Sequence, residues 1–319
     1  FEISSEREFN DMALKVFRFQ YLHNPIYRKF CEALNVPADV VNHYTGIPFL
    51  PIEFFRQQPV LCGAELPELV FTSSGTTGNK TSRHYVRHPE VYQKSFLKTF
   101  RIFFGDPEEY HILALLPGYL ERSGSSLIYM TEELIRQSQS THSGFYLKEL
   151  SLLKDKIEIL HDDPRRILLL GVSFALLDMV EKYSVHHPRL MVMETGGMKG
   201  RRKELVREEL HEILQQGFGV EKIYSEYGMT ELLSQAYSLG HGRFATPPWM
   251  KILVREPNDP LTVTAAESSG GINVIDLANV YSCSFIATQD LGKVHREGIF
   301  EISGRFDHSD IRGCNLMVV

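Results

Sequence analysis

Long apolar runs are missing from this 319-residue chain. The longest candidate, Ile167 to Val172, has the length of a buried strand and falls far short of the roughly 20 residues that span a bilayer, so no membrane anchor is expected. Cysteines are few: Cys31, Cys62, Cys283 and Cys314 lie far apart, with no CxxC pair and no Cys/His ligand spacing. That excludes a disulfide framework and a zinc site, and free thiols point to a reducing, cytoplasmic compartment. An excess of positive charge is also lacking, with 34 Lys and Arg against 40 Asp and Glu and a net charge of −6. Binding to a phosphate backbone needs clustered cations, so no nucleic-acid partner is expected. The one dense basic run, Lys199-Gly200-Arg201-Arg202-Lys203, reads as the solvated first turn of a helix. The 13 histidines form no HExxH pattern, and His186-His187 reads as a solvated loop. No charged-then-apolar leader is visible; the chain opens on Phe1 rather than Met, as expected if a few residues are missing there.

What is present suits a globular protein, with 43% hydrophobic and 23% charged residues. A chain of this length buries roughly 75% of its unfolded surface and needs no covalent staple. Ser5 to Phe30 carries apolar residues at helical spacing (Phe9, Met12, Val16, Phe19) and predicts an amphipathic helix behind a Ser cap. After a Pro-punctuated stretch, strand-like runs at 69–73, 83–87, 112–116, 167–172, 190–194 and 222–225 alternate with helical patterns at 89–103, 125–137, 145–160, 175–183 and 201–216. This alternation predicts an α/β fold of mostly parallel sheets with helices on both faces. From about Gly240, short alternating runs (251–255, 261–264, 272–276, 284–288, 298–303) are separated by turn residues, which predicts a small antiparallel sheet or barrel. Two parts are expected, an α/β part at 1–240 and a β-rich part at 241–319.

Chemistry concentrates behind two strands. Phe71-Thr72-Ser73-Ser74-Gly75-Thr76-Thr77-Gly78-Asn79-Lys80-Thr81 crowds small and hydroxylated residues together. Its glycines let backbone N–H groups turn toward an anion, its hydroxyls can donate to phosphate oxygens, and Lys80 supplies positive charge. A nucleoside triphosphate is the natural guest. An ordinary turn needs far fewer such residues, and P-loop spacing is not met, because the lysine follows Asn79. The second cluster, Tyr224-Ser225-Glu226-Tyr227-Gly228-Met229-Thr230-Glu231, offers a ring to stack on a base, a glycine for close approach, a hydroxyl, and a carboxylate able to hold Mg²⁺. Its plainer alternative is a strand end followed by a capped helix.

In chain order the sequence shows Ser73-Ser74-Gly75-Thr76-Thr77-Gly78, Gly196-Gly197, Tyr227-Gly228-Met229-Thr230-Glu231, Asp290 and Gly304-Arg305-Phe306-Asp307. On these residues the chain resembles the superfamily of adenylate-forming enzymes, which includes acyl-CoA synthetases, firefly-type luciferases and peptide-synthetase adenylation domains. Thr195–Gly200, Ser225–Leu232 and Ser309–Cys314 are most similar to the acyl-protein synthetases of bacterial bioluminescence operons, also called long-chain-fatty-acid luciferin-component ligases. The resemblance runs from about Leu69 to the end and implies the superfamily's large N-terminal domain, with 1–240 binding nucleotide and acyl group. It also implies activation of a fatty acid as acyl-adenylate with ATP and Mg²⁺, then transfer to a cysteine thiol of the protein itself or of a partner acyl reductase. On the same resemblance, the Ser73–Lys80 loop holds the β- and γ-phosphates, and Gly196, Gly197 and Gly228 lie at the nucleotide. Tyr227 flanks the adenine, Thr230 contacts the α-phosphate, Glu231 binds the metal, and Asp290 and Arg305 address the ribose hydroxyls.

Two departures matter. Asn79 stands where the superfamily usually has Pro, which leaves the backbone beside Lys80 freer. The chain also stops at Val319, just past the hinge-like Gly304–Gly313, so the superfamily's mobile C-terminal domain with its catalytic lysine is expected either to be naturally absent, as the acyl-protein synthetase resemblance implies, or to have been cut from this sequence. Lys80, Lys199, Arg201 and Arg202 are then the candidates to neutralise developing charge. Without that domain a protein thiol suits the reaction better than CoA. Cys314 is the expected acyl carrier, with Gly313 permitting a tight turn that exposes it and Arg312 favouring the thiolate; an inert terminal cysteine is the alternative, and Cys283 is the next thiol to test. Competing readings are an acyl- or aryl-CoA ligase, a non-catalytic nucleotide-binding module, and a hydrolase. The last rests on Gly171-Val172-Ser173-Phe174-Ala175, which imitates a nucleophile elbow but lacks its final glycine. In the adenylation reading that turn lines the acyl pocket together with 117–119 and 124–126.

Overall fold

A computed structural model describes residues 1–73, 81–116, 124–146, 149–196, 202, 205–264 and 267–306. The strand Arg166–Val172 shows how the main sheet is built. Its Ile167, Leu169 and Val172 pack into one apolar cluster, with the helices Leu150–Ile159, Ser173–Lys182 and Arg207–Phe218. The alternate residues Leu168 and Leu170 join a second cluster, with the helices Glu6–His23, Pro89–Phe104 and Ser126–Gln137. Side chains alternate across a strand, so a run that is apolar throughout must be covered on both faces. Each such side chain fully buried contributes about 1.5–3 kcal/mol.

Five strands pair in parallel, in the order Gly144–Phe145, Tyr110–Leu115, Arg166–Val172, Leu190–Thr195 and Ile223–Tyr227. The last of these then pairs antiparallel with Ala236–Ser238, and the sheet continues through Phe244–Ala245, Phe300–Arg305, Phe285–Val294, Ser269–Asp276 and Met250–Arg255. The α/β class expected from the sequence is therefore present. The late antiparallel strands extend the parallel ones instead of forming a sheet of their own, and Tyr237, Phe244 and Phe300 all belong to the second cluster. A separate hairpin, Leu69–Thr72 with Arg83–Val86, stands off this sheet.

Several local expectations are corrected. The helix expected over 5–30 is two helices, Glu6–His23 and Pro25–Ala33, because the Asn24 side chain caps Ile26 and Tyr27 and Pro25 occupies the first turn. Its buried face is Phe9, Ala13, Val16, Phe17 and Gln20, which leaves Met12 exposed. Segment 261–264 makes a single bridge, Val263 to Arg255, since Asp259 binds the Leu261 N–H and the Thr262 hydroxyl in a turn. His187 is buried, with Nε2 3.1 Å from the Leu160 carbonyl, and is no solvated loop residue. Among the described residues, no helix is long and apolar enough to cross a membrane.

Beneath the junction of the two halves lies a buried polar network. Trp249 donates from Nε1 to the Ser95 and Ser234 hydroxyls (3.0 and 3.1 Å), and Ser234 donates to Asp276 Oδ1 at 2.6 Å. Asp276 also receives the Leu233 N–H on Oδ2 at 2.7 Å. Burial pushes the Asp276 carboxyl up to about 6, against these hydrogen bonds. The segment following Glu231 is thereby tied to the sheet.

Candidate functional site

The hairpin is closed at the base of its hydroxyl-rich loop. The Ser82 N–H donates to the Ser73 hydroxyl at 2.9 Å, and the Ser73 N–H donates to the Ser82 carbonyl at 3.1 Å. The Thr72 N–H donates to the Gly124 carbonyl at 2.7 Å; Gly124 has φ +88°, and a Cβ there would lie 3.0 Å from the Val70 carbonyl, so this contact needs glycine. From the second strand, buried His84 places Nδ1 2.8 Å from the Thr230 carbonyl and Nε2 2.9 Å from Asn279 Oδ1. Asn279 Nδ2 donates to the Glu231 carbonyl at 2.8 Å. The Ser82 side chain lies beside the Glu231 carboxylate and acts to lower its pKa. Two motifs far apart in sequence therefore meet.

A second convergence lies at the turn from parallel to antiparallel pairing. Tyr227 ends its strand half-buried, and its hydroxyl donates to Asp290 Oδ2 at 2.8 Å. Arg305, directly opposite Asp290 on the neighbouring strand, brings Nε to 2.9 Å from Oδ1. Asp290 is buried while the Arg305 side chain is 75% exposed, so the pair presents its guanidinium to solvent. On the other flank, Thr195 faces Glu226 across paired strands and donates its hydroxyl to that carboxylate, and Gly196 follows with φ +69°. Gly228 is constrained by the same carboxylate, because a Cβ there would sit 2.3 Å from Glu226 Oε1.

The structure thus brings together Ser73, Gly196, Tyr227, Gly228, Thr230, Glu231, Asp290 and Arg305 around the ends of two adjacent strands. Ser74, Gly75, Thr76, Thr77, Gly78, Lys80, Gly197, Lys199, Arg201 and Cys314 lie outside the described residues. Arg202 is not available to neutralise charge at this site, because Asp178 and Glu181 hold its guanidinium. Sequence reasoning missed His84, Asn279, Ser82 and Glu226. No motif marked the first two, whose bonds run to main-chain carbonyls.

Burial pushes the Glu231 carboxyl above its ordinary range, opposed by the Ser82 side chain and by the charges of Arg56 and Arg305. A buried hard-oxygen donor of this kind fits Mg²⁺, which takes one or two carboxylates and completes its shell with water and phosphate oxygens. The charge of such an ion would offset the desolvation that raises the carboxyl.

Glu226 is pushed up from 4.5 to about 7, by burial first and then by the charge of Glu194. In Glu194, burial also acts upward, but His211 and Arg207 outweigh it and hold the carboxyl below its ordinary range. Between pH 4.5 and 7 the folded protein keeps a proton on Glu226 that the unfolded chain releases, so the stability this group contributes is lost as pH rises through 7. Glu226→Gln cannot ionise. Its melting temperature is expected to rise relative to wild type between pH 5 and pH 8, by at most about 3 kcal/mol in stability. Thermal melts at the two pH values check this, and a difference independent of pH contradicts it.

Among the described residues Ser173 does not assemble a hydrolase site. Its hydroxyl lies 3.3 Å from Glu194 Oε2 and 3.4 Å from the Gly196 carbonyl. His211 Nε2 instead lies 3.4 Å from the Ser225 hydroxyl and 3.6 Å from Glu194 Oε1. A nucleophile elbow needs the imidazole on its serine, and here the serine meets a carboxylate. Cys283, the second choice as acyl carrier, is fully buried, and burial pushes its thiol well above the ordinary range.

No protein-family model matches the chain. The long-chain-fatty-acid luciferin-component ligase of Vibrio harveyi is 23% identical over 329 residues, covering 94% of this chain and 84% of that protein. Among solved structures, 2-hydroxyisobutyryl-CoA ligase in the postadenylation state, in complex with R3-HIB-AMP, is similar with a TM-score of 0.71 and 11% identity, over 95% of this chain and 68% of its own. O-succinylbenzoate coenzyme A synthetase from Bacillus subtilis, in complex with ATP and magnesium ion, gives a TM-score of 0.55 and 18% identity over 74% of this chain. This chain spans about half the length of that synthetase (49%), and equally of an ATP-bound MatB chimera. At these identities the structural likeness establishes the fold. The chain is thus similar in fold to these ligases and, along nearly its whole length, similar in sequence to a luciferin-component ligase.

Proposed function

We propose that the protein activates a carboxylic acid, foremost a long-chain fatty acid, as acyl-AMP and then passes the acyl group to a cysteine thiol. The observation that carries this reading is the convergence of the Ser73–Ser82 hairpin base, Thr230–Glu231 and the Tyr227–Asp290–Arg305 cluster around the end of the strand Ile223–Tyr227. In the first step a carboxylate oxygen attacks the α-phosphorus of ATP, and the bond to the β-phosphate oxygen breaks, releasing pyrophosphate. In the second step a thiolate attacks the acyl carbon and AMP leaves. Both steps depend on positioning and charge stabilisation.

In this reading Tyr227 flanks the adenine, while the Asp290 carboxylate and Arg305 address the ribose hydroxyls. The Thr230 hydroxyl meets the α-phosphate, and the Ser73–Lys80 loop, with Gly196, Gly197 and Gly228, holds the rest of the nucleotide. Glu231 would hold Mg²⁺, which when bound supplies positive charge to the phosphate oxygens. The similarity to a luciferin-component ligase supports a protein thiol as acceptor, with Cys314 as the carrier and an acyl reductase as the partner. A cytoplasmic location, where ATP is held, belongs to the same reading.

Trapping with hydroxylamine tests substrate and acceptor together. With ATP and Mg²⁺, acyl hydroxamate is expected from long-chain fatty acids and much less from short-chain or aromatic acids. A preference for aromatic acids would reassign the substrate. Faster turnover on adding CoA, with acyl-CoA as product, would replace the protein thiol by CoA.

A further inference from the structure

We propose that His84 and Asn279 are positioning residues that orient the Glu231 carboxylate toward the metal-bound nucleotide; this rests on the acid-activation reading above. The geometry is specific to one residue. The Thr230 carbonyl belongs to the peptide plane before the Glu231 Cα, and the Glu231 carbonyl to the plane after it. His84 Nδ1 lies 2.8 Å from the first oxygen, and Asn279 Nδ2 donates to the second at 2.8 Å. Peptide units are rigid, so pinning the planes on both sides of a Cα fixes the direction of its Cα–Cβ bond and limits where the carboxylate can reach. His84 Nε2 and Asn279 Oδ1, 2.9 Å apart, join the two pins into one unit.

That unit is itself anchored. Gln20, buried on the first helix, donates to the Asn279 carbonyl at 3.0 Å, the Val280 carbonyl at 2.9 Å and the Ser284 hydroxyl at 3.2 Å, and it accepts the Ser284 N–H at 3.0 Å. On the far side, Asp276 binds the Leu233 and Ala278 N–H groups and the Ser234 hydroxyl. The chain around Glu231 is therefore held from both sides. Ser82, two residues before His84 in the same hairpin, lies beside the carboxylate itself. His84 is fully buried with the Phe55 ring against it, and burial lowers its pKa to about 4. It serves the Thr230 carbonyl from within the core. Partners of this kind behind a metal ligand typically govern metal affinity or activity by about 10–100-fold.

The test uses Asn279→Asp, which keeps the volume but replaces the donor facing the Glu231 carbonyl, together with His84→Leu and His84→Asn. The last retains an amide donor near the position of Nδ1. Acid-dependent ATP–pyrophosphate exchange is measured against Mg²⁺, MgATP and fatty acid, with thermal melts alongside. Asn279→Asp and His84→Leu are expected to raise the Mg²⁺ and MgATP requirements at least about tenfold while the fatty-acid KM changes less than about twofold, and His84→Asn is expected to recover to within about threefold of wild type. Folded variants with wild-type Mg²⁺ and MgATP constants would overturn the proposal, as would losses that merely follow the folded fraction. Should Asn279→Asp fail to fold, the contrast between His84→Leu and His84→Asn decides. Should the wild type bind MgATP without exchanging pyrophosphate, the activation reading fails by itself; calorimetric MgATP affinities of the same variants then decide the positioning role, with equal affinities overturning it.

Discussion

Glu231→Ala is expected to lower acid-dependent ATP–pyrophosphate exchange by about 10²–10³-fold, equivalent to roughly 2.7–4 kcal/mol of barrier, with the protein still folded. The two halves of that expectation have separate causes. Removing a carboxylate that burial already pushes above its ordinary range relieves a desolvation cost, and it leaves the Ser82 side chain without that neighbour. A hydroxyl left unpaired costs about 1–3 kcal/mol, so the net change in stability is small. In the acid-activation reading, by contrast, the variant would lose the carboxylate that would hold Mg²⁺ beside the phosphates, and with it positive charge where negative charge develops. Glu231→Gln separates charge from shape: it keeps the volume and a hydrogen-bonding oxygen, and should lose nearly as much activity as the alanine variant. Exchange rates measured beside thermal melts check both variants. Exchange within about threefold of wild type in a folded Glu231→Ala protein would assign the metal to other residues.

Cys314→Ser is expected to keep pyrophosphate exchange at the wild-type rate and to lose hydroxylamine-labile acylation from labelled fatty acid altogether. The three other cysteines argue for it by their surroundings. Cys31, Cys62 and Cys283 are buried, and burial pushes the Cys31 and Cys62 thiols up to about 12 and that of Cys283 well above its ordinary value. A thiol at about 12 is ionised to only about one part in 10⁵ at pH 7, whereas a free cysteine near 8.5 is a few per cent thiolate. The nucleophile is the thiolate, so the buried three start at a disadvantage of at least about a thousandfold. Labelling that survives in Cys314→Ser would place the acceptor on another chain or on CoA. Labelling that disappears together with exchange would mean that the substitution disturbs the first step as well.

The legible and illegible parts of the molecule divide by the distance over which their causes act. The strand Arg166–Val172 could be read from its own residues, because a continuous apolar run of that length requires cover on both faces. The strand that leads into Gly228–Glu231 was readable for the same local reason. The break at Asn24-Pro25 was also written locally, as a cap followed by a first-turn proline. The continuation of the parallel sheet into antiparallel strands was not, because turn residues after 240 mark where strands end and say nothing of which edge they join. His84 and Asn279 were hidden for a related reason: their partners are the carbonyls of residues 146 and 48 positions away, and a carbonyl leaves no trace in side-chain sequence. Cys283 stood second to Cys314 as a candidate until its burial was known.

Acid-dependent exchange of labelled pyrophosphate into ATP addresses the central claim most directly, because it reports formation of acyl-AMP without regard to the acceptor. Label is expected to enter ATP only when Mg²⁺ and a fatty acid are both present, and exchange is expected to persist in Ser173→Ala. No exchange with acids of any chain length, from a protein that still binds ATP, would contradict acid activation, and ATP-independent ester cleavage abolished by Ser173→Ala would put a hydrolase in its place.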